Sequence, residues 1–122
     1  MAHWLWDQSA GELWLNGTLV SRGYAGRGKG KNNPAMQAAV AVGPIPQGNW
    51  LMTELYDSKN VGPLAIKIVP KAGTDALGRS AFRIHGDSIR DPGSASHGCI
   101  ILPRVIRQQI WRSGIRDLVV RA

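Results

Sequence analysis

Turn-forming residues cut this chain into short pieces, and that limits its possible folds more than any other feature. Fifteen glycines and seven prolines are spread through 122 residues. Short apolar runs bounded by such residues suit strands, whereas a helix of several turns needs a longer uninterrupted pattern. The segment from 103 to 113 offers one good helix, with Val105, Ile106, Gln109 and Ile110 on a shared face. Pro103 suits its start and Gly114 its end.

The rest reads as β. Trp4, Trp6, Leu13, Leu15 and Leu19 are separated by turn signals at 9–11 and at Asn16-Gly17. Asn-Gly between apolar runs is a strong hairpin signal. Strands are expected near 3–8, 11–15, 18–24, 49–56, 64–69, 81–85, 98–102 and 117–121. Pro63 and Pro70 should act as stops. Asn33 before Pro34 suits a capped helical turn over 34–40, and Gly43-Pro-Ile-Pro-Gln-Gly48 a rigid turn. The expected fold is mainly β, a sandwich or barrel with one substantial helix near the C-terminus, in a single domain over 1–122. Trp4, Trp6 and Trp14 are either core and cross-strand residues or a stacking platform for substrate.

Charge narrows the partners. The formal net charge is +7, which favours anionic ones. The basic residues are scattered, with no polybasic tail and no zinc-finger, RRM or KH motif, so nucleic acid is not an expected partner. The run Gly26-Arg-Gly-Lys-Gly-Lys-Asn-Asn-Pro34 lacks the Gly-Lys-Ser/Thr of a nucleotide loop. Lys29 and Lys31 within it are either a basic rim that meets an anionic substrate or part of a solvated loop. The N-terminus has no basic region followed by a long apolar run, so no Sec signal is read there. No stretch reaches the ~20 apolar residues of a membrane span, so no membrane insertion is expected.

Chemistry concentrates in 85–99, His-Gly-Asp-Ser-Ile-Arg-Asp-Pro-Gly-Ser-Ala-Ser-His-Gly-Cys. It holds the chain's only cysteine and two of its three histidines. A thiol attacks an acyl carbon as thiolate, and an imidazole can take the proton and return it to a leaving amine. His85 comes from a separate strand and can face Cys99 squarely, which makes it the expected base. His97, two residues before the cysteine, is a supporting group. Gly98 lets backbone approach a substrate, and the N–H groups of Gly98 and Cys99 are a candidate oxyanion hole. Asp87, Ser88 and Ser96 are the polar neighbours expected to face substrate. Against this stand a buried, inert cysteine, a metal site that lacks a suitable fourth ligand, and a surface loop with chance histidines.

Ile84-His85-Gly86 followed by Ser96-His97-Gly98-Cys99-Ile100 resembles the signature of the L,D-transpeptidase catalytic domain, a cysteine acyltransferase family acting on bacterial peptidoglycan. The resemblance implies that Cys99 is the nucleophile and His85 the base, that the Gly86 carbonyl orients the base, and that His97 shapes the oxyanion site. It implies a mostly β domain with its cleft at the His–Cys loop; no cofactor and no metal are expected. Ten residues separate His85 from Ser96, and Ile101 stands where an arginine or asparagine is often found. Both fit a smaller branch, the L,D-transpeptidase-like effectors of type VI secretion, whose resemblance extends through Gly28-Lys-Gly-Lys-Asn-Asn-Pro34 and 43–48.

That branch implies a cysteine enzyme on peptidoglycan stem peptides, an L,D-carboxypeptidase or D-amino-acid exchanger at the fourth-position D-alanine. It implies action in the periplasm of a target bacterium, with an immunity protein and a secretion-machinery carrier as partners. The alternatives are a housekeeping cross-linking transpeptidase and a non-catalytic basic β module that binds anionic glycan.

Overall fold

The computed structural model describes residues 2–122. Strands β1 (Trp4–Asp7), β2 (Glu12–Leu15) and β3 (Thr18–Arg22) form an antiparallel meander. Asn16 and Gly17 turn β2 into β3 with φ of 51° and 77°, the paired positive angles that match the twist of a two-residue hairpin. Next come β4 (Tyr24–Ala25), 3-10 turns at Gly28–Gly30 and Pro34–Met36, and the long hairpin of β5 (Gly48–Ser58) and β6 (Gly62–Pro70). Then follow β7 (Arg83–His85), β8 (Ile100–Ile101), helix α1 (Arg104–Arg112) and β9 (Asp117–Arg121). Asn33 caps the second 3-10 turn, its side-chain oxygen accepting from the Ala35 N–H.

The strand order is β3-β2-β1-β9-β5-β6-β7-β8-β4. Its two ends, β3 and β4, are separated in sequence by Gly23 alone. A sheet whose first and last strands share one linking residue must curl back on itself, which delivers the expected curved β architecture. Gly23 makes the closure possible, because a Cβ there would stand 1.9 Å from the Ile101 carbonyl oxygen.

The core gathers Trp4, Trp6, Leu13, Trp50, Met52, Ile66, Ile84 and Ile110. Trp4 and Trp6 are therefore packing residues, not a stacking platform, and Trp14 is half-buried opposite Leu5. Residues 43–46 of the turn before β5 are buried without a strand partner, so side chains satisfy their carbonyls. Arg79 donates to Gly43 and Pro44, Gln8 to Ile45, and Trp50 to Pro46.

Three expectations need correction. Pro70 ends β6, but Pro63 lies inside it. The ladder shifts register between Tyr56 and Ser58, so Pro63 falls in a bulge where no ladder amide is required. Strand β7 begins at Arg83 rather than 81, because Ala81 has a φ of 62° that breaks extended backbone. The helix buries Ile110 and Arg107, with Ile106 partly covered, while Val105 is 65% exposed and Gln109 faces solvent. The Arg107 guanidinium goes inside because three backbone carbonyls receive it.

Candidate active site

Parallel pairing of β7 and β8 sets the register of the histidine and the cysteine. Ile84 lies opposite Ile100, and His85 opposite Ile101. Cys99, one residue ahead of β8, falls beside Arg83, whose N–H reaches its sulfur at 3.3 Å. Side chains alternate along a strand. Ile84 points into the core while His85 falls on the side of Arg83 and the cysteine. One cleft of about 390 Å³ is lined by His85, His97, Cys99, Arg79, Arg83 and Ala95, among others. The structure thus brings together the cysteine and both loop histidines. Ile101 is buried and reaches no part of this cleft.

His85 has a defined tautomer. His85 Nδ1 lies 2.9 Å from the Gly86 carbonyl oxygen, which can only accept, so Nδ1 carries the hydrogen. Nε2 is left with the free lone pair. Burial pushes the His85 imidazole below its ordinary range. The Gly86 carbonyl opposes this, while Arg107 and Arg83 add to it. The Cys99 thiol is pushed up by burial, against the Arg83 N–H and the charges of Arg83 and Arg79. Both shifts favour the neutral forms of thiol and imidazole, and the sulfur lies 3.8 Å from the Ala81 carbonyl oxygen. Fast labelling at neutral pH is the expectation for a catalytic cysteine and slow labelling that for a core one; the burial that raises the Cys99 thiol runs against fast labelling.

Ser96 holds the loop rather than facing substrate. It is fully buried, and its hydroxyl donates to the Cys99 carbonyl at 2.6 Å while accepting from Gly26 and Gly98 at 2.8 and 3.0 Å. The Gly98 N–H is consumed by that bond, which leaves the Cys99 N–H as the loop amide for an oxyanion. His97 is exposed, with Nε2 3.4 Å from Arg27.

Asp87 and Ser88 order the loop from its other side. Asp87 accepts from the Tyr24 hydroxyl, from the Ser88 N–H at 2.8 Å and from the Gly93 N–H at 3.1 Å. Burial alone would raise its carboxyl, yet these bonds and Lys31 hold it below the usual range. The same contact and burial push Tyr24 up to about 12. The Ser88 hydroxyl accepts from the Asp91 N–H. Neither residue lines the cysteine cleft. Lys31 lies 4.5 Å over the Tyr24 ring, and Lys29 is exposed on the first 3-10 turn. Lys29 and Lys31 stay out of that cleft too, and Arg27 is the basic residue of their loop that meets His97.

Two arginines escaped the sequence reading. Arg79 is buried and donates to the carbonyls of Gln37, Gly43, Pro44 and His97. It pins the loop before Cys99 to the 37–44 segment. Nothing in local sequence marks it, because its partners are backbone groups far away in the chain. Arg83 has a weak signal, since it precedes the base by two residues and so shares its face. Among the described residues no group of three or more His, Cys, Asp or Glu is placed to hold a metal ion.

A parallel strand pair that presents a histidine and a cysteine in one cleft, on a curled mainly β sheet, defines an L,D-transpeptidase-like fold. The structure is similar to an L,D-transpeptidase from Mycobacterium smegmatis, with a TM-score of 0.50 and 16% identity, over 99% of this chain. The chain spans 58% of the length of that relative. The family model of the Tlde1 domain matches residues 20–121, and the chain belongs to that family. No curated protein matches the chain.

Proposed function

We propose that the protein is a cysteine enzyme that cleaves the bond before the fourth-position D-alanine of peptidoglycan stem peptides and passes the acyl group to water or to a D-amino acid. The observation that carries this reading is the single cleft holding Cys99 and a His85 whose Nδ1 is committed to the Gly86 carbonyl. As the sulfur attacks the carbonyl carbon, His85 Nε2 takes the thiol proton. The carbonyl oxygen becomes an oxyanion against the Cys99 N–H. The C–N bond then breaks, and the imidazolium gives its proton to the departing D-alanine amine. The thioester is next attacked by water or an amine, which loses a proton to His85. The C–S bond breaks, and the sulfur takes that proton back.

Family membership supports a peptidoglycan substrate and an effector's setting in the periplasm of a target cell. An immunity protein and a secretion carrier belong to the same proposal. A substrate with a free terminal carboxylate suits a rim that carries Arg27 and Arg83. Hydrolysis is favoured because a cleft open to solvent admits water. Incubation with tetrapeptide muropeptides, with and without an added D-amino acid, tests the reading by mass. Tripeptides, or tetrapeptides carrying the added residue, are expected, together with an acyl adduct on Cys99. Product from the Cys99→Ala protein would overturn it.

A further inference from the structure

A charged row crosses the sheet and ends at Cys99. Glu54 pairs with Lys67, and Lys67 with Arg83. Cys99 lies beside Arg83, one residue ahead of the Ile84–Ile100 pair. Glu54, Lys67, Arg83 and Cys99 are therefore successive neighbours across β5, β6, β7 and the lead into β8. The residues that follow or precede them in the strands, Ile66, Ile84 and Ile100, are packed in the core. Side chains alternate along a strand, so the row occupies the opposite face, the one that His85 shares.

Glu54 joins that face only through an irregularity. Trp50 and Met52 point into the core, and a two-residue period would send Glu54 after them. The register shift between Met52 and Glu54 reverses the alternation and leaves Glu54 exposed opposite Lys67. Bulges re-aim side chains in this way beside functional sites. The ion pairs among the described residues are Arg22–Glu12 and Lys71–Asp117, so Glu54 and Lys67 face each other unpaired. A hollow of about 540 Å³ is lined by Glu54, Tyr56, Lys67, Ala81 and Arg83, among others. It shares the segment 79–83 with the cysteine cleft and so adjoins it. Among the described residues Glu54 is the sole acid that lines either hollow.

We propose that this row is a specificity subsite for the acyl donor, and that it takes a side chain ending in an ammonium beside a carboxylate, on the residue before the scissile bond. Strands lie about 4.8 Å apart, which puts Lys67 roughly 10 Å and Glu54 roughly 14 Å from Cys99 along the row. An amine that attacks the thioester must come within about 3.5 Å of the reacting carbon, so a free acceptor is not the occupant. A long side chain on the acyl group does extend toward Lys67, and the Glu54 side chain covers part of the remaining gap. The order of charges then discriminates. A lysine side chain would pass two cations before meeting Glu54. A side chain that carries both groups gives its carboxylate to Lys67 and its ammonium to Glu54. Arg27 follows β4, which lies beyond β8 from this row, so the terminal carboxylate of the donor keeps its own place on the other side of Cys99. That the donor is a stem peptide rests on the reading above; the charge order does not.

The test uses two tetrapeptides that differ only at the third residue, diaminopimelate in one and lysine in the other. With the active protein, kcat/KM should be about two- to fivefold higher for the diaminopimelate peptide, the worth of an exposed ion contact. Lys67→Gln should erase that preference, whereas Glu54→Gln should weaken both peptides alike. Both side chains are exposed on strands, where substitutions cost little stability. Equal use of the two peptides by the unaltered protein, or a preference that survives Lys67→Gln, would overturn the subsite. A second arm titrates the same peptides into the Cys99→Ala protein, with amide NMR shifts as readout. The diaminopimelate peptide should bind more tightly and shift Glu54, Lys67 and Arg83; shifts confined to the loop 85–99 would overturn the subsite. If neither peptide forms an acyl-enzyme, the catalytic reading falls and this arm decides the row alone. A diaminopimelate preference that depends on Lys67 would then retain it, and equal binding would remove it.

Discussion

The Nδ1–H of His85 donates to the carbonyl of its own neighbour, Gly86, at 2.9 Å, and that contact decides which nitrogen is free to act. A carbonyl cannot be protonated in the cycle, so it orients the ring without competing for the proton. His97 has no such anchor and faces solvent beside Arg27. His85→Ala is expected to lower kcat/KM by about 10²–10⁴-fold, the usual worth of a general base. His97→Ala should cost less. Steady-state assays on tetrapeptide substrate check this, and an active His85 variant beside a dead His97 variant would reverse the roles.

The thiol should label slowly. Burial raises Cys99, and the amide and charges around it only partly offset this. Iodoacetamide alkylation at pH 7 is expected to run no faster than that of a small free thiol, and to rise only above the ordinary thiol range of about 8.5. The acyl donor should acylate Cys99 at pH 7 all the same, because His85 removes the proton during attack. Rapid alkylation at pH 7 would show a preformed thiolate instead.

Residue order revealed the local features and hid those made by distant backbone. Asn16-Gly17 and Asn33-Pro34 were legible because turn and cap chemistry is local. The meeting of His85 and Cys99 was legible because two strand ends frame one loop. The burial of Arg107 carried no sequence signal, because apolar periodicity does not foresee an inward arginine; distant carbonyls at Pro63 and Leu64 and that of Leu102 receive it. Arg79 was invisible for the same reason. The inward turn of Ser96 depends on Gly26, seventy positions away. Strand β8 falls inside the run expected at 98–102, whereas the two-residue β4 carries too little pattern to be separated from the run expected at 18–24.

Gly98→Ala should destabilise the protein and displace Cys99. Gly98 has a φ of 133°, and a Cβ there would stand 2.4 Å from Arg79 Nη2 and 3.2 Å from the Gly43 carbonyl oxygen. Arg79→Met removes the donor from four carbonyls at once and is expected to cost about 3 kcal/mol or more, since unsatisfied buried groups cost about 1–3 kcal/mol each. Chemical denaturation measures both. A Gly98→Ala protein with wild-type stability and turnover would show that the loop relaxes freely.

The basic loop should divide. Arg27 meets His97, while Lys31 is turned to Tyr24 and Lys29 stands on the far turn. Arg27→Glu is expected to raise KM for tetrapeptide more than Lys29→Glu does, with a difference that shrinks in salt as the ~10 Å screening length at 0.1 M shortens. Equal effects would mean a diffuse field rather than a rim.

Acid should switch the enzyme off later than an ordinary histidine would dictate. Burial first, then Arg107 and Arg83, lower the His85 pKa, while the Gly86 carbonyl and Asp87 pull the other way. His85 therefore stays neutral to below the unperturbed value of about 6.5, and if it is the base the acid limb of kcat/KM should fall beneath that pH. Arg83→Gln removes one depressing charge and should move the limb upward. Stability follows the same linkage. The unfolded chain binds a proton near 6.5 and the folded chain only at lower pH, so the unfolded state holds more protons between the two values. The contribution of His85 is then fully present above 6.5 and is lost as pH falls through the folded value. Denaturant midpoints at pH 7.5 and pH 5.5 should differ more for wild type than for His85→Gln, which cannot take up the proton. An acid limb above 6.5, unmoved by Arg83→Gln, would show that His85 is not the titrating base.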